Sequence, residues 1–411
     1  MNKCKRTVSW IIMMGLLMTV LLPVTPVYAF SISDLLGQTT GSADSGGATS
    51  MSTGNGLMNT LLGLLLGSFL GNISGSPSSG TDKGSSDNSG LNPSAKELVG
   101  FYAEWWGEDT SSYNSMIKNA DTIKTIAPFW ATMQADGTVT DRGGSDHAKV
   151  VNAAHQQNMT VLLLVNNAKV ENGVTPVHTV LANPALRTKA IDSFEAYIKK
   201  YNLDGVNVDF EMVPAEDRDN LTAFMRELYA RLKPQGYTVS IDIFPKQNEN
   251  SDVAAAYDYA GLAQYADKIM IMTYDNHGTW SGPGPIADIR WVENSLKYAL
   301  DFIPKNKLYL GLAAYGYDWS ANGTQSLEYK QIMELAQRYG QSVEWDDASQ
   351  SPYFSYTTAE GIAHTVWFEN SESLKHKLTL MAKYDIAGAA MWKLGEEDPA
   401  SWPVFRDKFG K

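Results

Sequence analysis

The chain has 411 residues, of which 44% are hydrophobic and 11% aromatic, so it can bury a large core. It carries 45 acidic and 33 basic side chains, for a formal net charge of −12. This acidic balance, without a basic run, argues against nucleic acid as a partner. The single cysteine, Cys4, excludes an intrachain disulfide.

Residues 1–29 have the pattern of an export signal. Basic residues open the segment, an apolar run follows over 8–22, and a small-residue cleavage site ends at Ala29, before Phe30. The pattern predicts a protein that is secreted and extracellular, or associated with the cell wall. The alternative is an uncleaved membrane helix, although the apolar run is short for a membrane span.

Residues 30–93 are dominated by Ser, Gly, Asn and Thr. Such a composition cannot bury enough apolar surface to fold, which predicts a disordered, flexible tether. One short apolar island, 57–71, interrupts the tether. It could associate with a cell wall or a membrane surface, or it could be a weakly structured apolar patch.

From residue 94 to 411, short apolar runs alternate with longer helical patterns. This alternation is typical of α/β proteins with parallel strands, and eight such units fit a closed (β/α)8 TIM barrel. The seventh connection, about 318–368, is longer than one unit and contains strand-like pieces. It predicts a small α+β insertion between strands 7 and 8. The eight predicted strands are 98–105, 122–130, 159–167, 204–211, 237–244, 268–275, 307–317 and 386–395.

The fourth predicted strand carries the sequence LDGVNVDFEMV over 203–213. Because side chains alternate along a strand, Asn207, Asp209 and Glu211 share one face, and apolar residues occupy the other. Burying two carboxylates and an amide in a row costs free energy unless they serve chemistry or are fully paired. The pattern therefore predicts a functional strand rather than a surface strand with a polar outer side.

Catalytic groups in a barrel of this kind lie at the C-terminal ends of the strands. The predicted strand ends combine aromatic rings with carboxylates and amides, a combination that suits sugar rings. The residues at these ends are Tyr102, Glu104, Trp105, Trp106, Phe129, Trp130, Asn166, Asn167, Asp209, Glu211, Asp242, Phe244, Met272, Tyr274, Asp275, Tyr315, Tyr317 and Trp392.

Other chemistries have weaker support in the sequence. The six histidines form no H-E-x-x-H motif and no close pair with zinc-ligand spacing. The chain also lacks a G-x-S-x-G nucleophile motif and a G-x-x-x-x-G-K phosphate loop. We therefore predict no metal site and no cofactor.

Three motifs resemble those of glycoside hydrolase family 18, the chitinase family. DGVNVDFE is similar to the family signature D-x-x-D-x-D-x-E, MTYD at 272–275 to its sixth-strand motif, and Trp392 to its sugar-binding tryptophan. Two features depart from the family pattern: Asn207 replaces the central aspartate, and LLLVNN at 162–167 replaces a third-strand S-x-G-G turn. Both departures resemble the branch of bacterial spore-cortex and cell-wall N-acetylglucosaminidases.

The resemblance implies a retaining hydrolase that cleaves β-1,4 bonds next to N-acetylglucosamine in peptidoglycan or chitin-like glycans. We also expect the protein to be a monomer. In the substrate-assisted route of the family, Glu211 is the general acid, Asp209 holds the substrate acetamido group and Tyr274 orients its carbonyl. The predicted substrate-binding residues are Asn207, Asp275, Met272, Trp392, Tyr102, Trp130 and Tyr315.

The resemblance also bears on the charge of Asp209. In the usual family site this aspartate shares a proton with an acidic neighbour, and Asn207 cannot ionise. We therefore expect Asp209 to ionise more easily here. Two alternatives stay open: a lectin of the same fold, which the presence of Glu211 opposes, and a hydrolase of another exopolysaccharide.

The tether should be dispensable for folding. A chain shortened to begin at Pro93 should melt like the full-length chain and hydrolyse soluble oligomers at the same rate. Limited proteolysis of the full-length chain should leave a resistant core that starts near Asn92. A shortened chain that fails to fold would contradict the predicted domain boundary.

Overall fold

The computed structural model describes residues 96–105, 109–144, 146–249 and 253–410. The predicted signal peptide, tether and apolar island lie outside these residues and stay predictions. Within the described ranges, no helix is long and apolar enough to cross a membrane.

Eight parallel strands form a closed barrel, which confirms the predicted fold class. The first strand pairs with both the second and the last, so the sheet has no free edge between them. A short additional strand, β3 (Val139–Asp141), pairs antiparallel with the end of the second barrel strand. The barrel strands are β1 (Glu97–Tyr102), β2 (Ile123–Met133), β4 (Thr160–Asn167), β5 (Gly205–Asp209), β6 (Thr238–Ile243), β7 (Lys268–Ile271), β8 (Leu308–Ala313) and β14 (Gly388–Trp392).

Helices connect these strands and cover the outside of the barrel. Asn183 shows how the sequence starts one of them: its side chain accepts hydrogen bonds from Ala185 N and Leu186 N, and Pro184 follows it. The helices are α1 (Ser111–Lys118), α2 (His147–Gln156), α3 (Pro176–Leu181), α4 (Pro184–Tyr201), α5 (Arg218–Leu232), α6 (Tyr259–Leu262), α7 (Ile289–Leu300), α8 (Tyr329–Arg338), α9 (Ser371–Tyr384) and α10 (Ser401–Phe409).

The α+β insertion follows the seventh barrel strand, as predicted, and begins at Tyr315 rather than near 318. One face of its antiparallel sheet packs on α8. The chain leaves β8 at Ala313 and enters the first insertion strand after one residue, so the insertion borders the barrel mouth. Its strands are β9 (Tyr315–Ser320), β10 (Gly323–Glu328), β11 (Glu344–Asp346), β12 (Ser351–Thr357) and β13 (Ala363–Phe368).

The barrel interior is filled at its N-terminal end and in its middle. At the N-terminal end, Glu97 forms an ion pair with Lys268 and accepts hydrogen bonds from Thr125 and Tyr309. Above this pair lies an apolar layer that includes Val99, Ala127, Leu164, Met270 and Ala390. The C-terminal ends of the strands are therefore the part of the interior that can open to a ligand.

Candidate active site

A cavity of about 330 Å³ opens at the C-terminal end of the barrel. Its size lies within the range of small-molecule sites. Carboxyl groups, amides and aromatic rings from most of the barrel strands meet there. The lining residues are Phe101, Phe129, Asn166, Asn167, Asp209, Glu211, Asp242, Phe244, Pro245, Val253, Met272, Tyr274, Asp275, Asn276, Trp280, Trp291, Tyr315 and Trp392.

Asn167, the last residue of β4, holds the backbone of Glu211. The Glu211 N–H donates to Asn167 Oδ1 at 2.8 Å, and Asn167 Nδ2 donates to the Glu211 carbonyl at 3.2 Å. Because β5 ends at Asp209, these side-chain bonds satisfy backbone groups that strand pairing no longer satisfies. Met212 then adopts a left-handed conformation with a φ of 51°, which ends the extended course of the chain.

Four carboxyl groups share this end of the barrel. Burial raises the pKa of Asp209 to about 7 and that of Asp275 to about 6. Burial, together with the charges of the other three carboxylates, raises the pKa of Glu211 well above its usual value. Burial and the neighbouring Asp209 do the same to the pKa of Asp242. The cluster therefore retains protons at a pH where exposed carboxyl groups are fully ionised.

Asp275 is positioned by two tyrosines of the insertion. Its Oδ1 accepts hydrogen bonds from Tyr315 Oη at 2.6 Å and from Tyr317 Oη at 3.1 Å. The backbone of Asp275 is left-handed, with a φ of 57°. Such a conformation costs on the order of 1 kcal/mol for a non-glycine residue and is often found at functional sites.

Tyr274 packs directly against the backbone of β8. A Cβ added to Gly311 would lie 3.0 Å from a ring carbon of Tyr274 and 2.5 Å from the Ile271 carbonyl oxygen. Gly311 therefore provides the space in which the tyrosine ring lies. Burial and the surrounding carboxylates raise the pKa of Tyr274 well above its usual value, so its hydroxyl keeps its proton and can donate it.

Trp392 forms an apolar floor for the cavity. Its ring centroid lies 5.5 Å from that of Phe101, 6.0 Å from Phe129 and 6.4 Å from Trp105. These contacts fix the indole at the end of β14, where one side of it lines the cavity. A fixed aromatic plane beside hydrogen-bonding groups can bind the C–H face of a sugar ring.

The structure brings most of the predicted site residues together. Those that line the cavity are Asp209, Glu211, Met272, Tyr274, Asp275, Tyr315 and Trp392. It does not bring Tyr102 and Trp130 there. Tyr102 donates a hydrogen bond to Glu104, and Trp130 stacks on His147 at 3.9 Å, both on the helix-facing side of the barrel.

The physical reason is the alternation of side chains along a strand. Phe101 and Phe129, each one residue earlier, point into the barrel and line the cavity in place of Tyr102 and Trp130. The pairing of β2 with β4 is also irregular between Phe129 and Ala131, at the position of Trp130. Trp106, another predicted strand-end residue, lies outside the described residues.

Asn207 is not at the cavity surface either, which corrects its assignment as a substrate-binding residue. It is 0% exposed, and it lies one level below Asp209 in the barrel. Its Nδ2 donates to Asp242 Oδ2 at 2.6 Å, and its Oδ1 accepts from Ser240 Oγ at 2.7 Å. The expected easier ionisation of Asp209 is opposed by burial, which raises its pKa to about 7.

Several cavity residues were not singled out from the sequence. Asp242 and Asn167 were recognised only as strand ends, because their partners become evident only once the strand register is known. Trp280 and Trp291 come from the loop after β7 and from α7, where strand periodicity gives no signal. Among the described residues, no group of three or more His, Cys, Asp or Glu side chains is arranged to hold a metal ion.

The fold and the site together define a TIM-barrel glycoside hydrolase. The family model "Glycosyl hydrolases family 18" matches residues 97–397, and the chain belongs to this family. It is 31% identical over 297 residues to the cortical fragment-lytic enzyme of Bacillus anthracis, covering 69% of this chain and 67% of that protein.

Two solved structures have the same fold. The spore cortex-lytic enzyme SleL of Bacillus cereus matches with a TM-score of 0.70 and 28% identity, covering 77% of this chain and 75% of that chain. A chitinase from Chromobacterium violaceum matches with a TM-score of 0.70 and 27% identity, covering 77% of this chain and 100% of that chain.

The two hydrogen bonds between the Asn167 side chain and the Glu211 backbone, which we call the Asn167 clamp, lead to a first prediction from the structure. Asn167→Ala should lower kcat on a soluble N-acetylglucosamine oligomer by about 10–100-fold, because Glu211 loses the bonds that fix its backbone. The oligomer Kd, measured by calorimetry, should change little. Asn114→Ala, at an exposed helical amide, is the control and should retain the wild-type kcat. An unchanged kcat for Asn167→Ala would contradict the clamp.

The carboxyl cluster also predicts how stability depends on pH. A raised pKa means that the folded state binds more protons than the unfolded state between about pH 4 and pH 7, so the contribution of Asp209 to stability falls as the pH rises through this range. Asp209→Asn should therefore be more stable than the wild type at pH 8, by roughly 1–3 kcal/mol, and should lose this advantage near pH 4.

Urea unfolding at both pH values measures this effect. The exposed Asp219→Asn is the control for the loss of one surface charge, and its difference from the wild type should change much less between the two pH values than that of Asp209→Asn. An Asp209→Asn variant that is less stable than the wild type at pH 8 would show that the Asp209 carboxylate is stabilised by its site.

Proposed function

We propose that this chain is a secreted, retaining glycoside hydrolase that cleaves β-1,4 bonds next to N-acetylglucosamine by substrate-assisted catalysis. The observation that carries the proposal is the joint position of Asp209, Glu211 and Tyr274 in one cavity with Trp392 as its floor. These groups supply an acid, a polar partner for an acetamido group and an apolar surface for a sugar ring.

In the first step, Glu211 protonates the glycosidic oxygen as the bond from that oxygen to the anomeric carbon breaks. A general acid must hold its proton near neutral pH, and the raised pKa of Glu211 supports this role. The backbone clamp by Asn167 fixes the point from which the acid reaches its target.

The substrate acts as its own nucleophile. Its 2-acetamido carbonyl oxygen attacks the anomeric carbon and closes an oxazolinium ring, which takes the place of a second carboxylate nucleophile. Asp209 accepts a hydrogen bond from the acetamido N–H and stabilises the positive charge of the ring. Tyr274 donates to the acetamido oxygen, and Asp275, held by Tyr315 and Tyr317, contacts the sugar.

Water completes the reaction from the side that the leaving group vacated. The Glu211 carboxylate now accepts a proton from that water as its oxygen bonds to the anomeric carbon and the oxazolinium ring opens. Two inversions at one carbon return the original β configuration. The product should therefore be the β anomer, which proton NMR of the first turnovers can detect.

The substrate class follows from the need for an acetamido group. The similar proteins of Bacillus are named for spore cortex and the Chromobacterium protein for chitin, which supports peptidoglycan or a chitin-like glycan as the substrate.

The predicted signal over 1–29 supports secretion, and the apolar island 57–71 could keep the enzyme at a cell wall or membrane surface. We propose that it acts as a monomer, because one chain closes the whole barrel.

Glu211→Gln tests the assignment of the acid. The variant should fold and bind the oligomer but hydrolyse it about 10²–10⁴-fold more slowly, because the amide cannot donate the required proton. Glu216→Gln is a matched control, since this exposed glutamate lies five residues later in a short 3-10 helix, Ala215–Asp217. Wild-type rates in the Glu211→Gln variant would refute the role of Glu211.

Paired substrates test the proposed chemistry. Oligomers of N-acetylglucosamine and of glucosamine differ only in the acetyl group, and only the acetylated one can form the oxazolinium ring. Muropeptide glycan, analysed by mass spectrometry in parallel, separates wall from chitin specificity. Binding of the acetylated oligomer without cleavage would identify a lectin, and cleavage of the deacetylated oligomer would exclude substrate assistance.

A further inference from the structure

Asp242 and Asp209 occupy equivalent positions on neighbouring strands. The pairing of β5 with β6 places Asn207 opposite Ser240 and Val208 opposite Ile241, so Asp209 and Asp242 come next and point to the same side. Neighbouring strands lie about 4.8 Å apart, which brings two aspartate side chains on one face within reach of each other.

Each of these aspartates has one buried oxygen for which a hydrogen-bond donor is missing. Asp209 Oδ1 and Asp242 Oδ1 are buried, and neither has a hydrogen-bond partner among the residues that the structure describes. Two facing carboxylates would repel each other in such a site, and each would lack a donor. A single proton between them removes the repulsion and supplies the missing donor.

The amide of Asn207 determines which oxygen of Asp242 carries that proton. Ser240 Oγ lies 2.7 Å from Asn207 Oδ1 and 3.1 Å from the Val206 carbonyl oxygen, and its one hydrogen forms the shorter bond. Asn207 therefore presents its Nδ2 to Asp242 and donates to Oδ2 at 2.6 Å. Oδ2 is therefore an acceptor, which leaves Oδ1 as the protonated atom. An aspartate at 207 could not impose this direction, because it has no fixed donor.

We propose that Asp242 is a positioning residue whose protonated Oδ1 donates a hydrogen bond to Oδ1 of Asp209. This inference rests on the proposed function, in which the other oxygen of Asp209 accepts the acetamido N–H. The acidic neighbour that the family signature places at 207 is thus relocated to the adjacent strand. Asn207 serves to orient Asp242 rather than to replace a carboxylate.

The surroundings of Asp242 favour its protonated form. The titratable groups that interact with it are Asp209 and Glu211 at the end of β5, Tyr274 after β7, and Tyr257, whose hydroxyl donates to the Phe210 carbonyl. None of these groups is a cation. Burial and the charge of Asp209 raise the pKa of Asp242 well above its usual value, as a shared proton requires.

Two substitutions at 242 distinguish the loss of the hydrogen-bond donor to Asp209 from the loss of the carboxyl group. Asp242→Asn keeps an N–H donor for Asp209 and an oxygen for Asn207, so kcat/KM should stay within about threefold of the wild type, with an unmoved acidic limb of the pH profile. Asp242→Ala removes the donor. It should lower kcat by about 10–100-fold and move the acidic limb upward by about one pH unit.

Substitution at 207 tests the relocation itself. Asn207→Asp should move the acidic limb upward, because a second carboxyl group then competes for the proton. In the Asp242→Ala background, the same change restores the family arrangement and should recover kcat at least several-fold. Asp318→Ala, at a buried aspartate of the insertion that accepts from Tyr356, is the control for lost stability. It should lower Tm and leave the pH profile unchanged.

The measurement is kcat/KM and kcat from pH 4 to pH 9 on one soluble N-acetylglucosamine oligomer, with a melting curve for each variant. An Asp242→Ala variant with a lower Tm and an unmoved acidic limb would overturn the proposal, as would an Asp242→Asn variant whose limb moves downward. If Asp242→Ala does not fold, Asp242→Asn and Asn207→Asp decide the question. A wild type without hydrolysis would instead refute the proposed function.

Discussion

The removal of four carboxyl groups from water is the constraint on which the site depends. An isolated buried carboxylate is costly, so Asp209, Glu211, Asp242 and Asp275 can coexist only if protons and donors are distributed among them. The same desolvation raises the pKa of Glu211, so its carboxyl group keeps a proton near neutral pH and can donate it. Burial of these carboxyl groups thus lowers the stability of the fold and at the same time makes catalysis possible.

Hydrogen bonds from the two strands beside β5 and from the insertion stabilise the buried cluster. Asn167 on β4 fixes the chain at Glu211, Ser240 on β6 orients Asn207, and Tyr315 on β9 donates to Asp275. The ion pair of Glu97 and Lys268 lies at the other end of the barrel, separated from the cluster by an apolar layer. The two polar regions can therefore titrate with little mutual influence.

The alternation of strand and helix patterns over 94–411 was sufficient to predict the barrel, and the alternation of side chains in DGVNVDFE was sufficient to predict the shared face of Asp209 and Glu211. The resemblance added roles for Tyr274 and Trp392, which the structure places in the same cavity. The sequence could not reveal that Asn207 binds Asp242, because that contact depends on the register between two strands. Tyr102 was misplaced because aromatic character at a strand end does not tell which side of the strand a residue occupies.

Gly311 lies on β8, a strand that supplies no reacting group. Substitutions at Gly311 should nevertheless affect the chemistry of the site. Any side chain there would displace the Tyr274 ring or the Ile271 carbonyl. Nearly every single-nucleotide change at this codon that alters the amino acid should therefore impair the enzyme, although the residue never touches substrate. In a random mutational library selected for hydrolysis, substitutions at 311 should be as rare as substitutions at 274. The restriction at 311 would then be steric and not chemical, because it comes from close packing.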